Sequence, residues 1–181
     1  DSIMFITEKG QAFTINAYEV GTNLAGRHIN NLLSSKKEDD KIAKIIPINF
    51  DTNAELTLIT QQGMVKRGKV QDYKTASVYK AGIRIMKIAP DDKIYEAHIT
   101  TSNNDLMFFK SDNTVSRTDI ENFNIKKGRV TTGVTGTKLT SQLVGVVSID
   151  KSDEKGMVAT ITDNGLIKLS YVGEYRQTSR N

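Results

Sequence analysis

Few residues in this sequence could carry acid–base or metal chemistry, and they do not form a site. The 181 residues contain two histidines, His28 and His98, and no cysteine. A metal site built on these histidines would need carboxylate ligands at a spacing that the sequence does not offer. His98 lies in a strand-like run and is expected to be a packed or surface residue. The absence of cysteine excludes disulfides and thiolate metal sites, and it fits a reducing cytoplasm.

Two aspartate pairs and one glycine-rich segment are the remaining candidates for a catalytic centre. Residues 39–40 and 91–92 are both Asp-Asp, and each pair comes just before a strand-like run. Recurrence at the same place favours turn residues over an acid–base pair. Residues 133–138, GVTGTK, are similar to a phosphate-binding loop, but they lack the full G-x-x-x-x-G-K-[ST] pattern and a following helix. We therefore predict no catalytic centre.

The basic residues are more informative, because several of them recur just after a predicted turn. Lys66 and Arg67 follow the second such turn, Arg117 the third and Lys168 the fourth. The first turn is followed by Phe-Thr at residues 13–14 instead, so the basic stripe is incomplete. Repeated cations on equivalent elements of a ring would form a curved positive band.

The elements that position these cations are four hairpin-like segments with a constant period. Each is an apolar run, a polar turn and a second run, at residues 3–15, 56–70, 106–120 and 157–169. The turn residues are Gly10, Gly63, Asn113 and Gly165, which are 53, 50 and 52 residues apart. Glycine and asparagine tolerate the positive φ angles that tight hairpin turns need. Each segment therefore predicts a β-hairpin.

Each hairpin is followed by a glycine-bearing loop and another β-rich run. Residues 82–88 align without a gap on residues 133–139, and residues 26–32 match them in part. Four short strands about every 50 residues are typical of a propeller blade. A β-sandwich of unrelated hairpins is the alternative, but three features recur in the same order in three repeats. We predict an all-β, propeller-like disc of four-stranded blades.

The predicted repeats are approximately 1–53, 54–103, 104–153 and 154–181, within one domain. The last repeat stops in its glycine-bearing loop, without its third and fourth strands. Since an open blade exposes unpaired edges, either the parent chain continues or a strand from elsewhere closes it, and we favour the first. The start at Asp1 also suggests a piece of a longer protein. We expect the apolar half of each hairpin to be the innermost strand.

The charge pattern predicts contact with a polyanion. The net charge is +4 and the isoelectric point about 9.2, which permits such a partner without demanding one. A curved basic band suits a bent duplex, because phosphate contacts require no base reading. Aromatic residues make up only 7% of the chain, which disfavours stacking on single strands. A protein-interaction platform and a propeller enzyme with an axial site are the alternatives; no apolar run is long enough to span a membrane.

Two motifs support a family resemblance that covers essentially the whole chain. Residues 59–67, ITQQGMVKR, and 161–168, ITDNGLIK, combine an apolar strand, a T-x-x-G turn and a basic pair or residue. Residues 129–139, RVTTGVTGTKL, have the loop form R-x-x-x-G-V-x-G-x-K-L. These repeats resemble the C-terminal DNA-binding domain of the A subunit of bacterial type IIA topoisomerases, namely DNA gyrase and topoisomerase IV. Residues 26–32 and 177–181, and the absence of a Q-R-R-G-G-K-G box, favour topoisomerase IV.

The resemblance implies a β-pinwheel whose blades exchange strands and whose positive rim holds and bends double-stranded DNA. It implies no cofactor in this domain, since ATP, Mg²⁺ and the nucleophilic tyrosine would belong to the breakage-reunion domain or the ATPase B subunit. The expected location is the bacterial cytoplasm, at the nucleoid. Thr14, Leu169 and Asn113 depart from the family pattern, so the rim is expected to be weaker at the first and fourth repeats.

The candidate DNA-binding residues are therefore the basic residues of the hairpins and of the glycine-bearing loops. They are Lys66, Arg67, Lys69, Arg117 and Lys168 from the hairpins, and Arg27, Lys80, Arg84, Lys126, Lys127, Arg129, Lys138, Arg176 and Arg180 from the loops.

Overall fold

The computed structural model describes residues 2–22, 25–33, 35–74 and 81–180, which form short strands joined by turns. The strands are β1 (Ser2–Thr7), β2 (Gln11–Asn16), β3 (Ile42–Ile48), β4 (Glu55–Thr60), β5 (Met64–Lys69), β6 (Ile83–Arg84), β7 (Ile94–Thr100), β8 (Asn104–Lys110), β9 (Val115–Asp119), β10 (Val134–Thr135), β11 (Leu143–Asp150), β12 (Met157–Ile161), β13 (Ile167–Tyr171) and β14 (Gln177–Thr178). A 3-10 turn follows each hairpin, at Ala17–Val20, Val70–Tyr73, Ile120–Asn122 and Val172–Glu174, and one helical turn, α1, spans Ile29–Leu32.

The strands form four sheets, which we call blades 1 to 4. Blade 1 has the order β3-β1-β2-β6, blade 2 β7-β4-β5-β10, blade 3 β11-β8-β9-β14, and blade 4 contains β12 and β13. β6 belongs to the second sequence repeat but pairs with β2 of the first, and β10 of the third repeat pairs with β5 of the second. The predicted all-β, propeller-like fold is confirmed, and successive blades exchange strands.

The position of the apolar hairpin strand differs from the sequence-based expectation. β1, β4 and β8 are interior strands of their sheets, with a neighbour on each side. The edge strands β3, β7 and β11 lie next to one another, since β3 contacts β7 and β7 contacts β11. The expectation that the apolar half of each hairpin is innermost is therefore wrong. The last strand of each of the first three repeats, β3, β7 or β11, takes that place.

The predicted turns are present. Asn113 has φ of +64°, close to the values of +80° at Gly10 and +77° at Gly63, so asparagine adopts the left-handed conformation that glycine provides elsewhere. The backbone N–H of Lys9 donates to Asp40 Oδ1 and that of Gln62 to Asp92 Oδ1, each at 3.0 Å. These aspartates are turn residues, as the recurrence of the pairs predicts.

The core lies between blades rather than within one. One cluster joins blades 1 and 2, with Met4, Ile6, Leu56 and Leu58 among its members, and another joins blades 2 and 3. On the other face of blade 1, α1 and Leu33 cover Phe5 and Phe13. Both faces of β4 are therefore covered, which explains why all six of its residues are buried.

The strand exchange explains the glycines of the loop that is similar to a phosphate-binding loop. A Cβ at Gly136 would lie 2.4 Å from Val65 Cγ2, and one at Gly133 would lie 2.8 Å from the Val65 carbonyl oxygen. Glycine at these positions lets β10 approach β5 closely. The glycines therefore serve strand packing.

Candidate nucleic-acid interface

The side chain of Lys66 points into the molecule. It is 0% exposed, and its Nζ donates to the carbonyl oxygens of Ile85 and Arg129, each at 2.5 Å, and to the Tyr73 hydroxyl at 3.2 Å. Ile85 and Arg129 belong to two successive loops that carry exchanged strands. Lys66 therefore ties these loops to β5, and its ammonium is not available to a ligand at the surface.

Burial lowers the pKa of Lys66 from 10.5 to about 8. The charge of Asp72 opposes this shift, and carbonyl hydrogen bonds also favour the protonated form. Burial raises the pKa of the Tyr73 hydroxyl, so that group stays neutral in the folded protein.

We expect the stability of the protein to rise with pH between about 8 and 9.5 because of Lys66. In that range the unfolded chain keeps a proton that folded Lys66 releases, so the free energy of unfolding gains up to about 1.4 kcal/mol per pH unit. Urea unfolding at several pH values should therefore give a steeper rise for the wild type than for Lys66→Met. Lys69→Met, at an exposed neighbouring position, is the control and should keep the wild-type slope. Equal slopes in all three proteins would contradict a buried ammonium.

Arg67 lies beside Lys66 and is also buried, with 5% of its surface exposed. Its Nη1 donates to the carbonyl oxygens of Ile120 and Phe123, at 3.2 and 3.3 Å, and its Nη2 forms an ion pair with Glu55 Oε2 at 3.2 Å. Ile120 is the first residue of the 3-10 turn of the following repeat, and Phe123 directly follows that turn. Arg67 therefore connects blade 2 to the turn that follows β9.

Arg117 repeats this arrangement one blade further along. Its Nε donates to Asp105 Oδ2 at 2.7 Å, and its Nη1 to the carbonyl oxygens of Val172 and Tyr175 at 3.2 and 3.3 Å. Gln177 Nε2 donates to the other oxygen of Asp105 at 2.9 Å. We call each arginine, its carboxylate and the turn it binds a clasp: the Arg67 clasp with Glu55 and the Arg117 clasp with Asp105.

These contacts correct the prediction for three residues. Lys66, Arg67 and Arg117 are 0%, 5% and 7% exposed and bind carbonyls and carboxylates of the protein, so they do not belong to the candidate DNA interface. The physical reason is that the β5 and β9 side chains on both faces of the sheet meet neighbouring blades or loops. Lys168, in contrast, lies on β13, where every residue except Ser170 is exposed.

The clasp has no counterpart in blade 4. Leu169 takes the place of the arginine and pairs with Ala159, as Arg67 pairs with Thr57, while Met157 takes the place of the carboxylate. Both side chains are exposed, at 59% and 62%. The sequence departure at Leu169 is therefore the loss of a structural clasp rather than of a surface charge.

The basic residues of the glycine-bearing loops remain at the surface. We call the loops crossover segments: residues 25–33, 81–88, 123–139 and 175–180. Their exposed cations are Arg27, Arg84, Lys87, Lys127, Arg129, Lys138, Arg176 and Arg180, and Lys126 is half-buried. Lys69 is exposed at the end of β5, and Lys80 lies outside the described residues.

These cations are largely unpaired. Arg27 donates to the Glu19 carbonyl oxygen at 3.3 Å and Arg180 to that of Asn122 at 3.5 Å. Across the described ranges, the side chains of Arg84, Lys127 and Arg129 form no ion pair. An unpaired exposed cation keeps its full charge for an incoming anion, so the crossover segments are the candidate interface.

Backbone contacts bring two crossover segments together. The Lys87 N–H donates to the Thr131 carbonyl oxygen at 3.1 Å, and Arg84 pairs with Gln11 of blade 1. Arg129 lies two residues before Thr131, so the cations of the second and third segments share one stretch of surface. Arg176 directly precedes β14, which pairs with β9 at the edge of blade 3.

The histidines do not form a site. His28 Nδ1 accepts the N–H of Asn30 at the start of α1, at 3.3 Å. His98 Nε2 lies 3.2 Å from the Val146 carbonyl oxygen and 3.7 Å from Glu96 Oε2, and burial lowers its pKa. Within the described ranges, no three histidine, cysteine or acidic residues are grouped as metal ligands.

No described helix is long and apolar enough to cross a membrane.

Sheet order, strand exchange and unpaired basic crossover segments together define a strand-exchanged β-propeller with a charged rim. The chain belongs to the DNA gyrase C-terminal domain, beta-propeller family, whose model matches residues 1–49, 54–94 and 156–181. It is a C-terminal domain of the type found in the A subunits of type IIA topoisomerases.

Known proteins support this assignment. The chain is 27% identical to the DNA gyrase A subunit of Deinococcus deserti and 28% identical to that of Streptomyces coelicolor, over 99% and 98% of its length. It covers 23% and 22% of those proteins, so it spans about a quarter of the curated relatives that it matches.

Two solved structures share the fold over nearly all of the chain. The C-terminal domain of DNA topoisomerase IV superimposes with a TM-score of 0.85 at 25% identity, over 99% of this chain and 56% of that one. The C-terminal domain of DNA gyrase A gives a TM-score of 0.80 at 22% identity, over 99% and 57%.

The clasp carboxylates are buried partners of the arginines that the sequence interpretation missed. Glu55 and Asp105 each precede their arginine by 12 residues. A hairpin places residues 55 and 69, and likewise 105 and 119, opposite each other. The recurrence of an acidic residue at the start of a hairpin and an arginine near its end is the signal that could have found them.

Proposed function

We propose that this chain, as one β-pinwheel over residues 1–181, binds duplex DNA without sequence preference and bends it along its crossover segments. The observation that carries this proposal is the set of exposed, unpaired cations on consecutive segments, above all Arg84, Lys127, Arg129 and Lys138. Phosphate contacts from such residues neutralise the backbone without reading bases. No described helix is placed to enter a groove, since α1 has only four residues.

The parent protein is proposed to be the A subunit of topoisomerase IV, with DNA gyrase as the alternative. Its breakage-reunion domain and the ATP-hydrolysing B subunit would perform the chemistry, with Mg²⁺, in the bacterial cytoplasm and at the nucleoid. This chain would contribute no catalytic group and would steer DNA segments for decatenation and relaxation. The sequence of residues 26–32 and 177–181 supports topoisomerase IV, and the gyrase relatives support the alternative.

The experiment is a titration of a random-sequence duplex with the protein at several salt concentrations. Each phosphate contact contributes about −0.9 to the slope of log affinity against log salt. Five contacts would give a slope of about −4.5 and a loss of affinity of about 500-fold between 50 and 200 mM salt. A flat salt dependence, or no binding at low salt, would overturn the proposal and favour a protein-interaction platform.

Ligation of nicked circles in the presence of the protein separates the two parent enzymes. A changed linking number would indicate wrapping and favour gyrase. Salt-dependent binding that leaves the linking number unchanged would favour topoisomerase IV.

A further inference from the structure

Each of the two clasps binds the turn from which a basic crossover segment starts. The turn Ile120–Asn122, which Arg67 binds, leads into Lys126, Lys127 and Arg129. The turn Val172–Glu174, which Arg117 binds, leads into Arg176 and Arg180. Each buried arginine therefore holds the root of a segment whose exposed cations belong to the proposed interface.

The main chain of each clasp arginine fixes the same segment. Ile125 forms a parallel bridge with Arg67, and the Lys126 N–H donates to the Arg67 carbonyl oxygen at 2.8 Å. Gln177 pairs with Arg117 in the same parallel sense, and the Thr178 hydroxyl donates to the Arg117 carbonyl oxygen at 3.2 Å. Side chain and backbone of one residue thus set where a basic segment leaves the blade.

The attachment of one blade to the next depends more on the clasps toward the later blades. A large apolar cluster joins blades 1 and 2, and a smaller one joins blades 2 and 3. Between blades 3 and 4, no apolar cluster forms among the described residues, and the contacts there include the Arg117 clasp and the edge-on packing of Phe109 with Tyr175. Clasp geometry therefore matters most where apolar packing is weakest.

We propose that Arg67 and Arg117 are positioning residues for DNA: they do not touch it but orient the basic segments so that the cations of successive blades follow one bent duplex. This inference rests on the proposed function. It differs from a purely structural role, because the orientation of the segments, and not only the folding of the blades, depends on the buried arginine.

The test uses the apolar pair that the protein itself carries in blade 4. The double variant Glu55→Met/Arg67→Leu copies Met157 and Leu169. It leaves the net charge unchanged and leaves no buried charge without a partner, whereas Arg67→Leu alone leaves Glu55 unpaired. Lys127→Met, a surface neutralisation, is the reference for the loss of one direct phosphate contact. The melting temperature of each protein is measured by thermal unfolding, and the salt slope is measured with a random duplex. DNA bending is measured as energy transfer between the two labelled ends of a duplex that is saturated with protein.

The double variant is expected to melt closer to the wild type than Arg67→Leu does. It should nevertheless lose about 2 to 3 units of salt slope, because three cations of one segment lose their place, and it should bend DNA less. Lys127→Met should lose about 0.9 unit. Arg67→Lys, which keeps the charge and one donor to a turn carbonyl, should restore part of the slope.

Three outcomes would overturn the inference. A folded double variant with wild-type slope and bend would show that the clasp only stabilises the fold. A loss of about 0.9 unit in both Arg67→Leu and the double variant would indicate direct contact by the arginine. A wild-type protein without salt-dependent binding would instead refute the proposed function, and the positioning role would fall with it.

Discussion

Arg117→Ala is expected to lower the free energy of unfolding by about 3 to 5 kcal/mol, the range for removing one partner of a buried ion pair. Asp105 is 0% exposed and would keep only Gln177 as a side-chain partner. The carbonyl oxygens of Val172 and Tyr175 would also lose their donor. Urea unfolding followed by circular dichroism measures the loss. Hydrogen exchange should show that protection falls first in β12, β13 and β14, because the Arg117 clasp attaches them.

Two variants control this result. Arg176→Ala removes an exposed arginine of the same segment that has no ion-pair partner in the described residues, and it should change stability by no more than about 0.5 kcal/mol. Asp105→Leu/Arg117→Leu removes both charges and should recover much of the loss, since apolar replacement of a buried pair is often tolerated. If Arg176→Ala were as destabilising as Arg117→Ala, the clasp would not be the source of the effect.

The sequence predicted the fold well because the signals for it are local and repeated. Gly10, Gly63, Asn113 and Gly165 occupy the same turn position, and all four adopt positive φ. Alternating apolar runs on either side then specify hairpins whatever their surroundings. The exchange of strands is less visible, because β6 and β10 have two residues each and carry no β-pattern of their own. Only the glycines that let them approach the neighbouring blade mark their position.

The candidate site could be predicted only in part, because the direction of a side chain depends on what covers each face of a strand. Lys66 and Arg67 are consecutive residues of β5 and must point to opposite faces. In a propeller both faces of an inner blade meet other blades, so neither side chain reaches solvent. The predicted fold already contained this constraint, and combining it with strand alternation would have excluded both residues. This constraint does not apply to Lys127 and Arg129, because they lie in a crossover segment outside the sheets.

Neutralising four of the five exposed cations of the second and third crossover segments is expected to abolish most DNA binding. In the variant Arg84→Gln/Lys127→Gln/Arg129→Gln/Lys138→Gln, four phosphate contacts would disappear. At 0.1 M salt each contact contributes about 0.9 log unit, so the affinity should fall by about 10³- to 10⁴-fold and the salt slope by about 3.6. Because all four side chains are exposed, the melting temperature should remain close to that of the wild type.

A variant with the same change in net charge separates direct phosphate contact from the general electrostatic attraction between protein and DNA. Lys9, Lys41, Lys93 and Lys155 are exposed lysines at turns outside the crossover segments, and replacing them with Gln removes the same four charges. Lys9 and Lys93 pair with Asp39 and Glu8, but such exposed pairs contribute little to stability. If DNA is held by the crossover segments, this variant should lose far less affinity and keep most of the slope, and both variants should behave alike on unrelated sequences. Equal losses would mean that the protein attracts DNA through its net charge alone, and a loss confined to one sequence would mean that it reads bases.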